Sequence, residues 1–337
     1  MKKSTPFFLI FIFFIGCTNS KGPDVSKIKV DIPIERFDKS FFSIDTNNIA
    51  AGLKDLMTSY PGFYTDFMQQ ILGVSGSDTN TVTLQVSKLF IGGYSSIYQN
   101  LSKQYSDVAW LQKDIQKAFQ YVKYYFPGYK TSKIILFVGP LDAPGVALTG
   151  SGIAIGLHQF GGKDFPAYQS MEMQQLFPAY ISRRFEPQYI VVNSMKAVTE
   201  DIYPDKGAGK GLIEQMIEKG KQWWLLDKFL PATPDSLKTG FTRQQSNWCE
   251  ANEGLVWNDI ITTQKDLYTK DPSSIQNYIG EAPYTQSLGP GSPGNIGQWV
   301  GWQIVKKFAD KNSSMRVTDV LKTDARKILE EAKYKPK

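Results

Sequence analysis

The sequence predicts an α+β fold in which helices dominate and a small antiparallel sheet lies in the middle of the chain. Apolar residues recur every three or four positions in several segments before residue 127 and after residue 188, as they do along amphipathic helices. Between these regions, three short apolar runs are separated by turns that contain glycine or proline, which is typical of strands. The 337 residues show no internal repeat of solenoid length, so we expect a globular body.

The first part of the mature chain is predicted to contain one strand and several helices. Residues 28–37 alternate apolar and polar side chains, which indicates a strand. Helical spacing follows over residues 47–60, 62–72 and 107–126. The last of these helices is expected to stop at Pro127, because proline cannot continue a helix.

The middle of the chain is predicted to form the sheet. Its three apolar runs are residues 134–138, 146–148 and 153–157. Glycine, proline and serine occupy the breaks between them, where the chain must turn. We expect these strands to pair as a small antiparallel sheet.

The remainder of the chain is predicted to be mostly helical, over residues 188–203, 211–229, 242–264, 272–279, 294–310 and 324–333. A boundary is expected near residues 127–131. It would divide the mature body into an N-terminal helical lobe, residues 28–127, and an α+β lobe, residues 128–337, which share one core.

The start of the chain has the three parts of a secretory signal peptide. Lys2 and Lys3 give a basic start, residues 7–15 are an unbroken apolar run, and Gly16 is the small residue at the cleavage site. A helix of that apolar run would extend only about 14 Å. The hydrocarbon core of a bilayer is about 30 Å thick. We therefore predict that residues 1–16 are a cleaved signal and not a membrane span.

The residue after this signal is predicted to carry lipid. Phe14-Ile15-Gly16-Cys17 resembles a bacterial lipobox, although Phe14 stands where an aliphatic residue is usual. The resemblance implies a diacylglyceryl group on Cys17 and a further acyl chain such as palmitate. Two or more acyl chains anchor a protein stably. Residues 17–27 would then be the lipidated terminus and a linker; the alternative is an ordinary cleaved signal with an incidental cysteine.

Composition excludes some classes of function. The net charge of +6 is modest and evenly distributed, which argues against a nucleic-acid-binding protein. Besides Cys17, the only cysteine is Cys249, so no internal disulfide is expected. We expect Cys249 to be a buried small apolar residue and not a reactive thiol.

Six segments spread over nearly the whole chain form an ordered set: Ile34-Glu35-Arg36-Phe37-Asp38, Tyr60-Pro61-Gly62-Phe63-Tyr64, Gly161-Gly162-Lys163-Asp164-Phe165-Pro166, Glu218-Lys219-Gly220-Lys221, Ala282-Pro283-Tyr284-Thr285 and, most specific, Ser292-Pro293-Gly294-Asn295-Ile296-Gly297-Gln298-Trp299-Val300-Gly301-Trp302-Gln303-Ile304-Val305. In their order and spacing they resemble the gliding-motility lipoprotein B (GldB-like) family of Bacteroidetes. The resemblance implies a cell-envelope lipoprotein of the machinery for gliding and its associated protein secretion.

The predicted arrangement also resembles a zinc-protease (zincin) scaffold without its metal site. Such enzymes bind zinc through His-Glu-x-x-His on a helix, because residues four apart share one helix face. The equivalent helix here, residues 189–200, has no histidine, and the chain has a single one, His158. Either the body descends from a protease that lost its metal, or the likeness is architectural only. No metal or other cofactor is expected.

Two sets of residues remain candidates for chemistry. His158 is a candidate general base, and packing within the fold is the alternative. Carboxylates concentrate on and between two predicted helices, where paired acids serve as general acid and base or hold a cation: Glu200, Asp201, Asp205, Glu214 and Glu218. The alternative is a solvated surface whose lysines neutralise these acids.

The helix after residue 294 contains a candidate interface. Gly297 and Gly301 lie four apart, where another backbone can approach closely, and Trp299 and Trp302 share one flank. These aromatics either belong to the core or, if exposed, form the centre of a protein interface.

Together these features predict a non-enzymatic lipoprotein that binds other envelope proteins of the gliding and secretion apparatus. Its expected location is the outer membrane, facing the periplasm. One alternative is an envelope hydrolase that uses His158 or the carboxylates Glu200, Asp201, Glu214 and Glu218. Another is a ligand-binding lipoprotein, which would need a deep pocket.

Overall fold

The computed structural model of the protein describes residues 22–76, 80–130, 133–263 and 266–336. The predicted signal peptide and Cys17 lie outside the described residues. The description therefore begins at Gly22, inside the predicted linker.

The first part of the described chain is helical, apart from one short strand. Its elements are β1 (Ile34–Arg36), α1 (Phe37–Phe42), α2 (Ile49–Ser59), α3 (Phe63–Asp66), α4 (Thr81–Gln104) and α5 (Ala109–Tyr125). A single π-helical turn, Phe67–Ile71, continues α3. The helices predicted over 47–60, 62–72 and 107–126 are confirmed. The strand predicted over 28–37 is shorter than expected, because only β1 pairs with a neighbour.

Helix α4 is 24 residues long and was not predicted. Its buried side chains are few, and two of them are polar: Thr83, Ser87, Phe90, Ile91 and Leu101. Leu89 is exposed. Gly92 and Gly93, in the middle of the helix, have low helix propensity. The N-terminus is capped by Asn80, whose side chain accepts from the N–H of Thr83 at 2.9 Å. A helix with so narrow an apolar stripe gives a weak periodic signal.

The sheet contains β1 together with β2 (Lys133–Phe137), β3 (Val146–Thr149) and β4 (Gly152–Gly156). Its strand order is β1-β2-β4-β3. The pairs β1–β2 and β2–β4 are parallel, with Ile134 opposite both Ile34 and Ile153. Only β3 and β4 are antiparallel.

The prediction that residues 134–138, 146–148 and 153–157 form an antiparallel sheet is therefore correct for the pair β3–β4 and wrong for the pair β2–β4. The β3–β4 hairpin is antiparallel because a short turn reverses the chain. The strand β2 instead pairs with the second strand of that hairpin, so both run in the same direction. Apolar runs reveal that a strand is buried, but they carry no information about which neighbour it pairs with or in which direction.

The second half of the described chain is mostly helical, as predicted, although four of its eleven helices lie outside the predicted ranges. Its helices are α6 (Met171–Leu176), α7 (Ala179–Ser182), α8 (Ile190–Ile202), α9 (Leu212–Phe229), α10 (Asp235–Thr239), α11 (Arg243–Ala251), α12 (Glu253–Thr263), α13 (Pro272–Ile279), α14 (Ile296–Lys311), α15 (Val317–Lys322) and α16 (Ala325–Ala332). The single helix predicted over 242–264 is two helices, which meet at Asn252. The fold class, α+β with helices dominant, is confirmed.

The sheet separates two apolar cores. In β2, Ile134 and Leu136 belong to the larger core, whereas Ile135 and Phe137 belong to the smaller one. This alternation follows from the two-residue period of a strand. The smaller core contains phenylalanines from α1 to α4; the ring centroids of Phe37 and Phe67 are 4.9 Å apart.

Helix α9 lies in the centre of the larger core. Twelve of its eighteen residues are buried, because α5, α8, α14 and α16 pack around it. This core also includes Leu111 and Ile115 of α5, so it takes side chains from both sides of residue 127. The division into lobes at that residue stays a prediction.

Candidate functional site

Helix α14 packs so closely against α9 that the backbones of the two helices are in contact. A Cβ atom on Gly301 would lie 1.7 Å from the carbonyl oxygen of Met216, and one on Gly220 would lie 2.2 Å from the carbonyl carbon of Gly301. A Cβ on Gly297 would lie 2.8 Å from the carbonyl oxygen of Tyr278. These distances leave no room for a side chain, so glycine is required at Gly301 and Gly220, where α14 crosses α9, and at Gly297, where α14 passes Tyr278 of α13.

The two tryptophans of α14 lie on the inside of the molecule. Trp299 is 7% exposed and Trp302 is 1% exposed. The indole N–H of Trp302 donates to Asp227 Oδ2 at 2.7 Å, and Lys306 Nζ lies 3.3 Å from the centroid of the Trp302 ring. A buried indole N–H needs such an acceptor, and the ammonium over the ring adds a cation–π interaction.

The candidate interface predicted from the sequence is therefore internal. Gly297, Trp299, Gly301 and Trp302 are all buried, and they join α14 to its neighbours in the same chain. The sequence left two interpretations open, that these residues belong to the core or that they form an interface with a partner. In the structure they lie in the core.

His158 lies in the interior, directly after β4, and both ring nitrogens are hydrogen-bonded. The N–H of Gly139 donates to Nδ1 at 3.0 Å, which requires that Nε2 carries the proton and donates to the carbonyl of Ala143, also at 3.0 Å. Burial lowers the pKa of His158 to about 4, although the Ala143 hydrogen bond opposes the shift. The neutral imidazole therefore holds the loop that follows β2 in place, through its hydrogen bonds to Gly139 and Ala143.

We expect the proton NMR signal of the His158 ring to titrate with a midpoint near pH 4 and to stay unchanged through pH 6.5. Because the unfolded chain binds this proton near pH 6.5, the contribution of His158 to stability should fall as the pH drops from about 6.5 to 4, by roughly 3 kcal/mol. The assignment is unambiguous, since the chain has one histidine. A midpoint within half a pH unit of 6.5 would contradict this description of the site.

Glu218 of α9 is the most buried of the candidate carboxylates. It is 2% exposed, accepts from the hydroxyl of Tyr203 at 2.6 Å, and pairs with Lys210 at 3.0 Å and Lys221 at 3.2 Å. Lys221 in turn donates to the carbonyl of Thr323 at 2.7 Å. Burial lowers the pKa of Lys221, an effect that the Glu218 charge opposes. This network ties α9 to the loop before α16.

The four other candidate carboxylates each have their own partner. The contacts join Glu200 to the side-chain amide of Gln222, Asp201 to the hydroxyl of Tyr129 at 2.9 Å, Asp205 to Lys219 Nζ at 2.9 Å, and Glu214 to Arg326 Nε at 2.9 Å. Within residues 22–76, 80–130, 133–263 and 266–336, no three histidine, cysteine, aspartate or glutamate side chains are placed to hold a metal ion.

Sequence reasoning missed a different polar site, a cavity of about 210 Å³ between α8, α9 and the start of α14. Lys196, Thr199 and Asn295 line it. The only local signal is Lys196 itself, a single lysine in α8, where Asn193 and Ser194 are also polar. Asn295 lies 99 positions further along the chain, so no local pattern could join the two.

These features define the class of the protein. It is a predominantly helical α+β protein with a four-stranded mixed sheet, and the part that the structure describes has no helix long and apolar enough to cross a bilayer. The chain belongs to the family described as gliding motility protein GldB, whose profile matches residues 18–336. The name of that family implies a lipoprotein, and the resemblance predicted from the sequence is confirmed.

A comparison with curated proteins and one with solved structures found no match. The likeness to a zinc-protease scaffold is therefore not confirmed. The family match spans almost the whole chain, including the glycine and tryptophan positions of α14 and the network around Glu218.

Proposed function

We propose that this protein is a lipid-anchored envelope protein that serves gliding motility and the associated secretion by binding other proteins, without catalysis. Membership of the gliding-motility family over residues 18–336 is the observation that carries the proposal. The family match begins directly after Cys17, the residue expected to become the first of the mature chain.

The position of Gly22 indicates which face of the body a lipid on Cys17 would hold near the bilayer. Gly22 packs on the surface of the body, because a Cβ there would lie 3.1 Å from the ring of Tyr121 and 3.2 Å from Pro231. The five residues from Cys17 to Gly22 span at most about 18 Å when extended. A lipid on Cys17 would therefore hold this face of the body close to the bilayer, which we expect to be the outer membrane, on its periplasmic side.

The proposed absence of catalysis is supported by the hydrogen bonds and ion pairs that the candidate catalytic residues already make within the fold. Both nitrogens of His158 are bonded within the core, which leaves no lone pair for a substrate. Glu218 is surrounded by Tyr203, Lys210 and Lys221. These residues have structural roles that account for their burial.

Deletion of the gene in a gliding bacterium that carries it tests the proposal. We expect the deletion strain to lose surface spreading or secretion, and the wild-type gene to restore it. Normal gliding and secretion in the deletion strain would contradict the proposal. Cleavage of peptides or peptidoglycan by the purified protein would instead favour the hydrolase alternative.

A further inference from the structure

Residues 22–32 are fixed to the body along α5. The side-chain amide of Gln120 in α5 donates to the carbonyl oxygen of Ile28 at 2.9 Å. Val25 in the same segment is 1% exposed, so its side chain is packed into the body. Because this segment is held at several points, a lipid on Cys17 would pull on one surface of the protein and not on a freely moving arm.

The surface on which the lipid would pull is the outer face of α5. A Cβ on Gly22 would lie 3.1 Å from the ring of Tyr121, in the last part of that helix. Residues three, four or seven positions apart share one side of a helix. Five exposed residues of α5 lie by this spacing on the same side as Tyr121, and we call them the α5 face: Trp110, Lys113, Asp114, Lys117 and Tyr124.

The α5 face has an aromatic ring near each end and a positive charge between them. Trp110 is 36% exposed and Tyr124 is 48% exposed, and they lie about 21 Å apart along the helix axis. Between them, Lys113 and Lys117 outnumber Asp114. Tryptophan and tyrosine are enriched at the headgroup level of membranes, where lysine side chains extend towards the phosphates. The composition of the α5 face therefore suits a phospholipid surface.

The groove on the other side of Gly22 lacks this surplus of positive charge. It has a volume of about 870 Å³, and Gly22 is part of its wall. Three lysines and three aspartates line it: Asp227, Lys228, Asp235, Lys238, Lys306 and Asp310. Since these charges cancel, the groove offers anionic lipid no net attraction. Of the two surfaces next to Gly22, the α5 face is the one that matches the charge of a phospholipid membrane.

We propose that the α5 face rests on the phospholipid headgroups of the membrane that holds the anchor. Its two aromatic rings would lie among the headgroups, and its two lysines would contact lipid phosphates. The contact rests on the lipid proposed for Cys17, because the chain from Cys17 to Gly22 spans at most about 18 Å. The helices that cover the smaller core, on the other side of the sheet, would then face away from the membrane and stay accessible to protein partners.

Lysine footprinting of the full mature chain tests the proposal with an artificial anchor. Made without its signal, this chain has a thiol at Cys17, and its other cysteine, Cys249, is buried. A maleimide phospholipid therefore couples to Cys17, and the matched comparison is the same chain capped there with N-ethylmaleimide. Both are mixed with vesicles of phosphatidylethanolamine and phosphatidylglycerol and treated with an acetylating reagent. Mass spectrometry then gives the acetylation rate of each lysine.

We expect the lysines of the α5 face to react more slowly when the chain is anchored. The acetylation rates of Lys113 and Lys117 should be roughly threefold or more below those of the capped chain, because lipid covers them. Lys54 of α2 and Lys88 of α4 are exposed lysines on helices that cover the smaller core, and they are the internal controls. Their rates should be the same in the anchored and the capped chain.

A double variant tests whether the aromatic rings hold this orientation. Trp110→Ser combined with Tyr124→Ser should return the rates of Lys113 and Lys117 in the anchored chain to those of the capped chain. The melting temperature of the capped variant confirms that it folds. Leu89→Ser replaces a side chain that is 66% exposed on α4, and it should leave the slow rates unchanged.

Three results would overturn the proposal. The first is equal rates of Lys113 and Lys117 in the anchored and the capped chain. The second is an equal slowing of Lys54 and Lys88, which would show that the body has no fixed orientation. The third is slowing in the capped chain that grows with its concentration, since a second copy would then cover the α5 face. The artificial anchor makes these rates independent of acylation in the bacterium, so a failure of the proposed natural anchor is detected separately.

Discussion

Replacement of Gly301 by alanine should destabilise the protein by about 3 kcal/mol or more, because the added methyl group would overlap the backbone of α9. The new Cβ would lie 1.7 Å from the carbonyl oxygen of Met216. A backbone atom cannot rotate away as a side chain can, so the two helices would have to separate. Since α9 is the centre of the larger core, that separation would disturb most of its neighbours.

The same substitution at Gly93 is a matched control. Gly93 also lies within a helix, but a Cβ there would have nothing within 4 Å. Alanine should therefore stabilise α4 by about 0.5–1 kcal/mol through its higher helix propensity. Urea unfolding of the two variants beside the wild type measures both effects. A loss below about 1 kcal/mol for Gly301→Ala would show that the helices do not cross as described.

Glu218→Ala should cost about 3–5 kcal/mol of unfolding free energy, the usual result of removing one partner from a buried ion pair. The change would leave Lys221, which is 1% exposed, with an uncompensated charge and would remove the acceptor for the hydroxyl of Tyr203. Chemical denaturation of the variant measures this loss. The denaturant concentration at the unfolding midpoint should therefore be much lower for Glu218→Ala than for the wild type.

The control for this variant is a solvated ion pair. Asp319 pairs with Arg316, whose side chain is 81% exposed. Salt screens such a pair, and its loss is expected to leave stability unchanged within error. Equal stabilities of Glu218→Ala and Asp319→Ala would contradict the buried network.

The helices were predictable where the buried stripe is apolar and the ends carry clear signals. Residues 272–279 form α13 as predicted, because Pro272 occupies its first turn and Asp271 caps its N-terminus. Helix α4 was missed, since Thr83 and Ser87 replace apolar residues in its stripe. The periodicity of apolar residues reveals a helix only where its buried face is apolar. It does not reveal a helix whose buried face carries hydroxyl groups.

The sheet and the sites depend on contacts between distant residues. The pairing of β1 with β2 joins Ile34 to Ile134, and no local pattern encodes it. The single histidine was recognised from sequence, but its role was decided by Gly139 and Ala143, which hold both ring nitrogens. Spacing identified Gly297 and Gly301 as positions for close approach, and only the fold showed that their partners are α13 and α9 of the same chain.

Fractionation of cells that express Cys17→Ser tests whether Cys17 carries the lipid anchor. Cys249→Ala is the matched control, because it removes the chain's other cysteine, which is buried. We expect the wild type and Cys249→Ala to stay in the membrane fraction, with acyl chains detectable by mass spectrometry. Cys17→Ser should instead lack the acyl mass and leave the membrane fraction. A Cys17→Ser protein that is correctly processed and still membrane-bound would contradict the account.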